Sequence, residues 1–192
     1  AASTSFTASG CSAVPSAITT FTYTPTVRKY RAASGTQFIL NVPEADATIQ
    51  HALPKIVDND FPLGSGINLD ALAGVDSCTE NQLRAKACPA GSIVGSAVAL
   101  SKYLPAGLKG NVYATGSVGN QLPLAVLLRG QAQGSNDQTY VIFRGTLGVR
   151  GTNEGGDGRA YARFDRIPQL PFSKFTLNLD APVYVNPDRC GT

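Results

Sequence analysis

Apolar and polar positions alternate along much of the chain. Thr4, Phe6 and Ala8 alternate with Ser5 and Thr7, and residues 18–23 continue in the same β-branched and aromatic style, the period-two pattern of a half-buried strand. Residues 37–42 form a short apolar run between Gly35 and Pro43, as a buried strand does. The same reasoning predicts strands over residues 47–53, 92–100, 110–115, 123–129, 139–150, 159–164 and 174–179. Turn chemistry separates many of them, at Pro105-Ala106-Gly107, Gly119-Asn120, Gly134-Ser135-Asn136-Asp137 and Asn153-Glu154-Gly155-Gly156-Asp157-Gly158.

One stretch departs from this period. Leu69, Leu72, Val75 and Leu83 fall at near-helical spacing, with Asp70, Asp76 and Thr79 available as caps. Thr79-Glu80-Asn81-Gln82 has the form of a capping box. The expected architecture is therefore mostly β, an Ig-like β-sandwich in two β parts joined by a short helical connector at about residues 68–87. Residues 1–10 read as an N-terminal strand, 11–87 as an N-terminal β part with the connector, and 88–192 as a C-terminal sandwich part. The expected core comprises Phe38, Leu40, Val42, Val112, Leu124, Val126, Leu128, Val141, Phe143, Phe164, Phe175 and Leu177.

Composition narrows the class. Twenty Gly, twelve Pro, 15% charged and 43% hydrophobic residues describe an ordered, turn-rich chain. A net charge of +3 without any basic stripe gives no footing for nucleic acid. No apolar run approaches the roughly 18 residues of a membrane span. The chain has no Met and opens on Ala1-Ala2-Ser3-Thr4, the small-residue pattern that signal peptidase leaves behind, so an exported, cell-surface protein is expected. Four cysteines with a single His and no C-x-x-C pair point to two disulfides in place of a metal site. Three pairings are possible; local closure favours Cys78 with Cys88, leaving Cys11 with Cys190.

Several runs resemble a repeating module of large secreted or surface β-sandwich proteins of actinobacteria. They are Val75-Asp76-Ser77-Cys78-Thr79-Glu80-Asn81-Gln82, Cys88-Pro89-Ala90-Gly91-Ser92-Ile93-Val94-Gly95 and Leu108-Lys109-Gly110-Asn111-Val112-Tyr113. Residues 164–177, which include Ile167-Pro168-Gln169-Leu170-Pro171-Phe172, the closing Asn186-Pro187-Asp188-Arg189-Cys190-Gly191-Thr192 and the opening residues 4–11 extend the likeness. The resemblance implies a β-sandwich in an extracellular setting and supplies no catalytic residue. Where the relatives string modules together, this chain reads as a single unit.

Residues 1–9 lie outside the loop that Cys11 and Cys190 would close. A polar, β-prone segment free of Pro, centred on Thr4, Ser5, Phe6, Thr7 and Ala8, has the character of a donor strand that adds to a sheet edge of a neighbouring copy. Head-to-tail addition that does not close into a ring gives a filament. The plainer alternative is a frayed terminus or a first strand in its own sheet. The expected function is thus a non-catalytic structural subunit of an extracellular filament, pilus-like or cell-surface assembly. Its expected partners are other copies of itself, and no cofactor is expected. A monomeric module binding cell-surface glycans or another ligand is the alternative. It is weakened by the lack of Trp and rests on tyrosines such as Tyr103, Tyr113, Tyr140, Tyr161 and Tyr184.

Catalytic arrangements find little support. His51, the only histidine, shares strand parity with Ile49 and Leu53 and has no visible triad partner. Gly91-Ser92-Ile93-Val94-Gly95 lacks nucleophile-elbow spacing, and Gly145, Gly148 and Gly151 lack the residues of a phosphate loop. Asp58 with Asp60 and Glu154 with Asp157 are the nearest carboxylate pairs for acid–base work or calcium. Both read as turn residues.

Overall fold

The structure, a computed structural model, describes residues 20–42, 54–68, 71, 74–131, 137–151, 157–168 and 171–187. Ten strands are present among them: β1 (Thr20–Pro25), β2 (Ala33–Asn41), β3 (Val57–Asp60), β4 (Gly66–Ile67), β5 (Ile93–Ser101), β6 (Leu104–Ala114), β7 (Gln121–Gln131), β8 (Gln138–Val149), β9 (Ala160–Asp165) and β10 (Lys174–Val185). A short helix, α1 (Glu80–Arg84), and a 3-10 turn at Ala90–Ser92 precede β5. The fold is mostly β and sandwich-like, built from one antiparallel sheet in the order β1-β2-β10-β5-β6-β7-β8-β9-β3, with β4 beside β10. Strands from both sides of residue 88 share this sheet. They also share one interior, where Phe38 and Phe61 join Val112, Val126, Phe143 and Leu177 in a single buried cluster.

The alternation explains how the sheet builds that interior. In β7, Leu124, Val126 and Leu128 point inward, and in β8 Val141, Phe143 and Leu147 do the same. The sheet folds over so that its two ends face each other across aromatic rings. Phe61, just after β3, stands 5.2 Å from Tyr23 on β1, 5.6 Å from Phe38 on β2 and 4.8 Å from Tyr184 on β10, centroid to centroid. Burial pushes the Tyr23 hydroxyl far above its ordinary pKa, and the neighbouring Tyr184 adds to the shift. Among the described residues the hydroxyl has no partner in hydrogen-bonding geometry.

Curling needs places where backbones approach closely, and glycine provides them. A Cβ on Gly110 would lie 1.9 Å from the Leu127 carbonyl oxygen, and one on Gly95 would lie 2.0 Å from that of Asn178. On β8, Gly145 and Gly148 sit opposite Phe164 and Tyr161 of β9, whose rings cover them.

The outer face of β6–β7 is covered by α1. Thr79 caps the helix: its hydroxyl accepts from the Gln82 amide, and the Gln82 side chain accepts from the Thr79 amide. Leu83, 1% exposed, joins Cys78, Tyr113, Ala125 and Leu127 in a second cluster on this face, a burial worth about 2 kcal/mol. The backbone ties the segment down as well, with the Cys78 amide donating to the Ala114 carbonyl at 2.8 Å.

Eleven of the twelve expected core residues are buried, and Phe175 is half-buried against the same cluster. The capping box is where the sequence puts it, although the helix spans only Glu80–Arg84. Leu69, Asp70 and Leu72 lie outside the described residues, as do the strand expected over 47–53 and the turn residues 134–136 and 153–156. Pro105, Ala106 and Gly107 do not form the turn that was expected. They lie in β6, and Lys102 and Tyr103 make the two-residue connection from β5, with Ser101 paired to Leu104. The surplus residues are absorbed where the register shifts between Ala99 and Ser101, and Gly107 takes a φ of +69° there. Asp58 and Asp60 are likewise strand residues, on β3, paired with Arg163 and Tyr161 of β9.

Candidate strand-docking site

The two ends of the strand order, β1 and β3, carry no ladder on their far sides among the described residues. Inward-facing residues of both border one apolar cavity of about 70 Å³. Phe21 lines it from β1 and Val57 from β3, and Leu104, Ile167, Phe172 and Phe175 contribute much of the remaining wall. Among the described lining residues, the polar side chains are Asn59 and Ser101. Phe21 remains 38% exposed although its ring stands 5.9 Å from that of Phe38. An aromatic face is therefore left partly uncovered on a strand whose far side carries no ladder among the described residues.

The edges differ in charge. Across six residues β1 carries none, and Thr20, Thr22 and Thr24 alternate with Phe21 and Tyr23. The four residues of β3 place Asp58 and Asp60 on the side away from the cavity. Arg150 donates to Asp58 at 2.6 Å and to Asp60 at 2.9 Å, while Arg163 reaches Asp58 at 3.3 Å. Partial burial opposes the charge on Arg150, but the hydrogen bond to Asp60 and the charge of Asp58 outweigh it and raise the guanidinium pKa. The guanidinium also lies 4.2 Å from the centre of the Tyr161 ring. Short length and fixed charges blunt an edge against further pairing, and β3 has both.

Cys78 and Cys88 form a disulfide with their Cα atoms 5.1 Å apart, as local closure suggested. Cys11 and Cys190, and the strand residues Thr4, Ser5, Phe6, Thr7 and Ala8, lie outside the described residues, as do His51 and Glu154. Asp157 takes part in a bidentate pair with Arg159, whose hydrogen bond, against slight desolvation, holds its carboxyl below the ordinary range. Ser92 is fully buried and donates to the Pro89 carbonyl at 2.6 Å, a structural use of the hydroxyl. Of the tyrosines considered for glycan stacking, Tyr113, Tyr161 and Tyr184 are buried. Tyr140 lies beneath the Lys86 ammonium at 3.8 Å, and Tyr103, 58% exposed at the β5–β6 turn, has the Lys102 ammonium 5.3 Å from its ring centre. No helix among the described residues is long and apolar enough to cross a membrane. Sequence reasoning missed the cavity and the strand β3 because both depend on which distant segments meet.

On the outer face, Glu80 pairs with Arg84 at 2.8 Å and with Arg144 of β8. The Arg84 hydrogen bond, against slight desolvation and with help from the Arg144 charge, holds the Glu80 carboxyl below its ordinary 4.5. A depressed folded-state pKa adds stability above the unfolded value and loses it as pH falls through the folded one. Glu80→Gln is therefore expected to lower the urea midpoint slightly at neutral pH and low salt. The difference should close as pH falls through the folded-state pKa, below the ordinary 4.5, and in about 1 M salt. Equal midpoints at neutral pH and low salt would show the pair to be without effect.

Comparison of the chain with protein-family models, with curated proteins and with solved structures finds no match.

Proposed function

We propose that this protein is a secreted, non-catalytic structural subunit that joins other copies of itself by β-strand addition. The observation that carries the reading is that β1 and β3, each with no ladder on its far side among the described residues, border an apolar cavity that reaches the interior. A strand laid there gains backbone hydrogen bonds from the edge and side-chain burial from the cavity, the two ingredients of donor-strand recognition. Residues 1–9 have the alternation such a donor needs. The Cys78–Cys88 bridge supports an oxidising compartment, where disulfides persist.

Removing residues 1–9 tests the reading. Sedimentation velocity and negative-stain microscopy of the intact chain should show head-to-tail oligomers or filaments, and the shortened chain should sediment as a monomer. Assemblies of unchanged size after the deletion would refute donor-strand joining.

A further inference from the structure

We propose that the outer face of β6–β8 binds an anionic polysaccharide through Lys86, Lys109 and Arg129. This stands apart from strand addition, since it uses no sheet edge. The three cations are distant in sequence, and the strand register gathers them. Lys109 of β6 lies directly opposite Arg129 of β7, and Arg129 directly opposite Tyr140 of β8. Lys86, just past α1, sets its ammonium 3.8 Å from the centre of the Tyr140 ring. With adjacent strands about 4.8 Å apart, the charges form an exposed row across the sheet. The Tyr140 hydroxyl, donating to the Gln138 side chain at 2.7 Å, steadies the ring beneath it.

The row opposes stability at two points. Like charges directly opposite on paired strands are destabilising, and Lys86, Lys109 and Arg129 form no ion pair among the described residues. Glu80 of α1 is already held by Arg84 and Arg144. The second point is the backbone of Lys86. α1 ends in a Schellman motif, the Ala87 amide donating to the Gln82 carbonyl at 2.8 Å and the Lys86 amide to that of Leu83 at 3.0 Å. Its left-handed position, which favours glycine, is held by Lys86 with a φ of +59°. The contact with Tyr140 offsets part of this strain and none of the Lys109–Arg129 repulsion. A bound anion relieves that repulsion.

The surroundings select the class of anion. β6, β7 and β8 are each paired on both sides, so an extended peptide finds no free backbone to join. The ring in the row carries the Lys86 ammonium where a nucleobase would otherwise stack. Asn111, Ser96 and Thr176 share this face, and their amide and hydroxyl groups suit the hydroxyls of a sugar chain.

Polygalacturonate, a chain of uronate sugars, is the probe. Calorimetric titration of the full chain at low salt should show binding that weakens as salt rises. Lys86→Gly, Lys109→Gln and Arg129→Gln should each weaken it about two- to fivefold, and together roughly ten- to a hundredfold. Their melting temperatures should equal or exceed the parent's, because each change removes like-charge repulsion or the left-handed lysine. Arg84→Gln, which removes a cation already paired with Glu80, should leave the affinity within about twofold of the parent. Absence of binding at low salt, or an equal loss in Arg84→Gln, would overturn the site. Lower melting temperatures in the three row variants would make the row a structural feature and overturn it as well. Tighter binding of polyglutamate or oligothymidylate of matched length would overturn the polysaccharide as the ligand.

Discussion

Gly110→Ala is expected to lower the unfolding free energy by about 3 kcal/mol or more, the upper range for forcing atoms into a filled interior. The added Cβ would stand 1.9 Å from the Leu127 carbonyl oxygen, 2.9 Å from its carbon and 3.0 Å from the Leu128 Cα. All three are backbone atoms of the neighbouring strand, so no side-chain rotation relieves the clash. Relief requires β6 and β7 to separate, and their ladder runs from Lys109–Arg129 to Ala114–Leu124 through the middle of the core. Gly145→Ala offers a control of the same chemistry. There the nearest atoms, at 2.4 Å, belong to the Phe164 ring, and a ring has some freedom to turn. Chemical denaturation of both variants should rank Gly110→Ala as clearly the more damaging. A midpoint for Gly110→Ala within error of the parent would mean that the strands do not approach as closely as described.

The two glycines also mark how far sequence carries a reader. β8 was legible because its inward Val141, Phe143 and Leu147 alternate with less buried residues, and β7 because it is a continuous apolar run buried on both faces. The helix cap was legible because Thr79 and Gln82 act within a single turn. What failed was chemistry that long-range pairing overrides. Asp58-Asn59-Asp60 has poor intrinsic strand character, yet β9 pairs with it and Arg150 and Arg163 neutralise its outward face. Residues 105–107 have turn composition, but Lys102 and Tyr103 already close the hairpin, so the extra residues become an irregularity inside β6. β10 continues past Leu179 through Asp180 and Pro182 to Val185 by shifting register against β2, a change that no local pattern announces. The same limit applies to the candidate docking site. Which strands end the sheet follows from β2 lying beside β10 and β3 beside β9, partners more than a hundred residues apart in each case. The edges, and the cavity they border, exist only once those pairings are made.

Replacing Cys78 and Cys88 together by Ala is expected to cost about 3 kcal/mol, the chain-entropy value for so short a loop. The loss should fall unevenly on the structure. A helix of five residues does not persist alone; α1 depends on its capping box, on Leu83 against the outer face of β6–β7, and on the bridge that joins its two flanks. Without the bridge, the amides of Leu83 and Ala85, which donate to Thr79 and Asn81 at 2.9 Å, should exchange with solvent far faster than those of the β6–β7 ladder. The ladder should change only as much as global stability does, because its own hydrogen bonds do not involve the bridged segment. Native-state hydrogen exchange separates these contributions, and thermal melting of the double variant gives their sum. An unchanged melting temperature with α1 still protected would show that packing under Leu83 holds the helix unaided. Fast exchange confined to α1 would instead make the bridge a local clamp on the outer face.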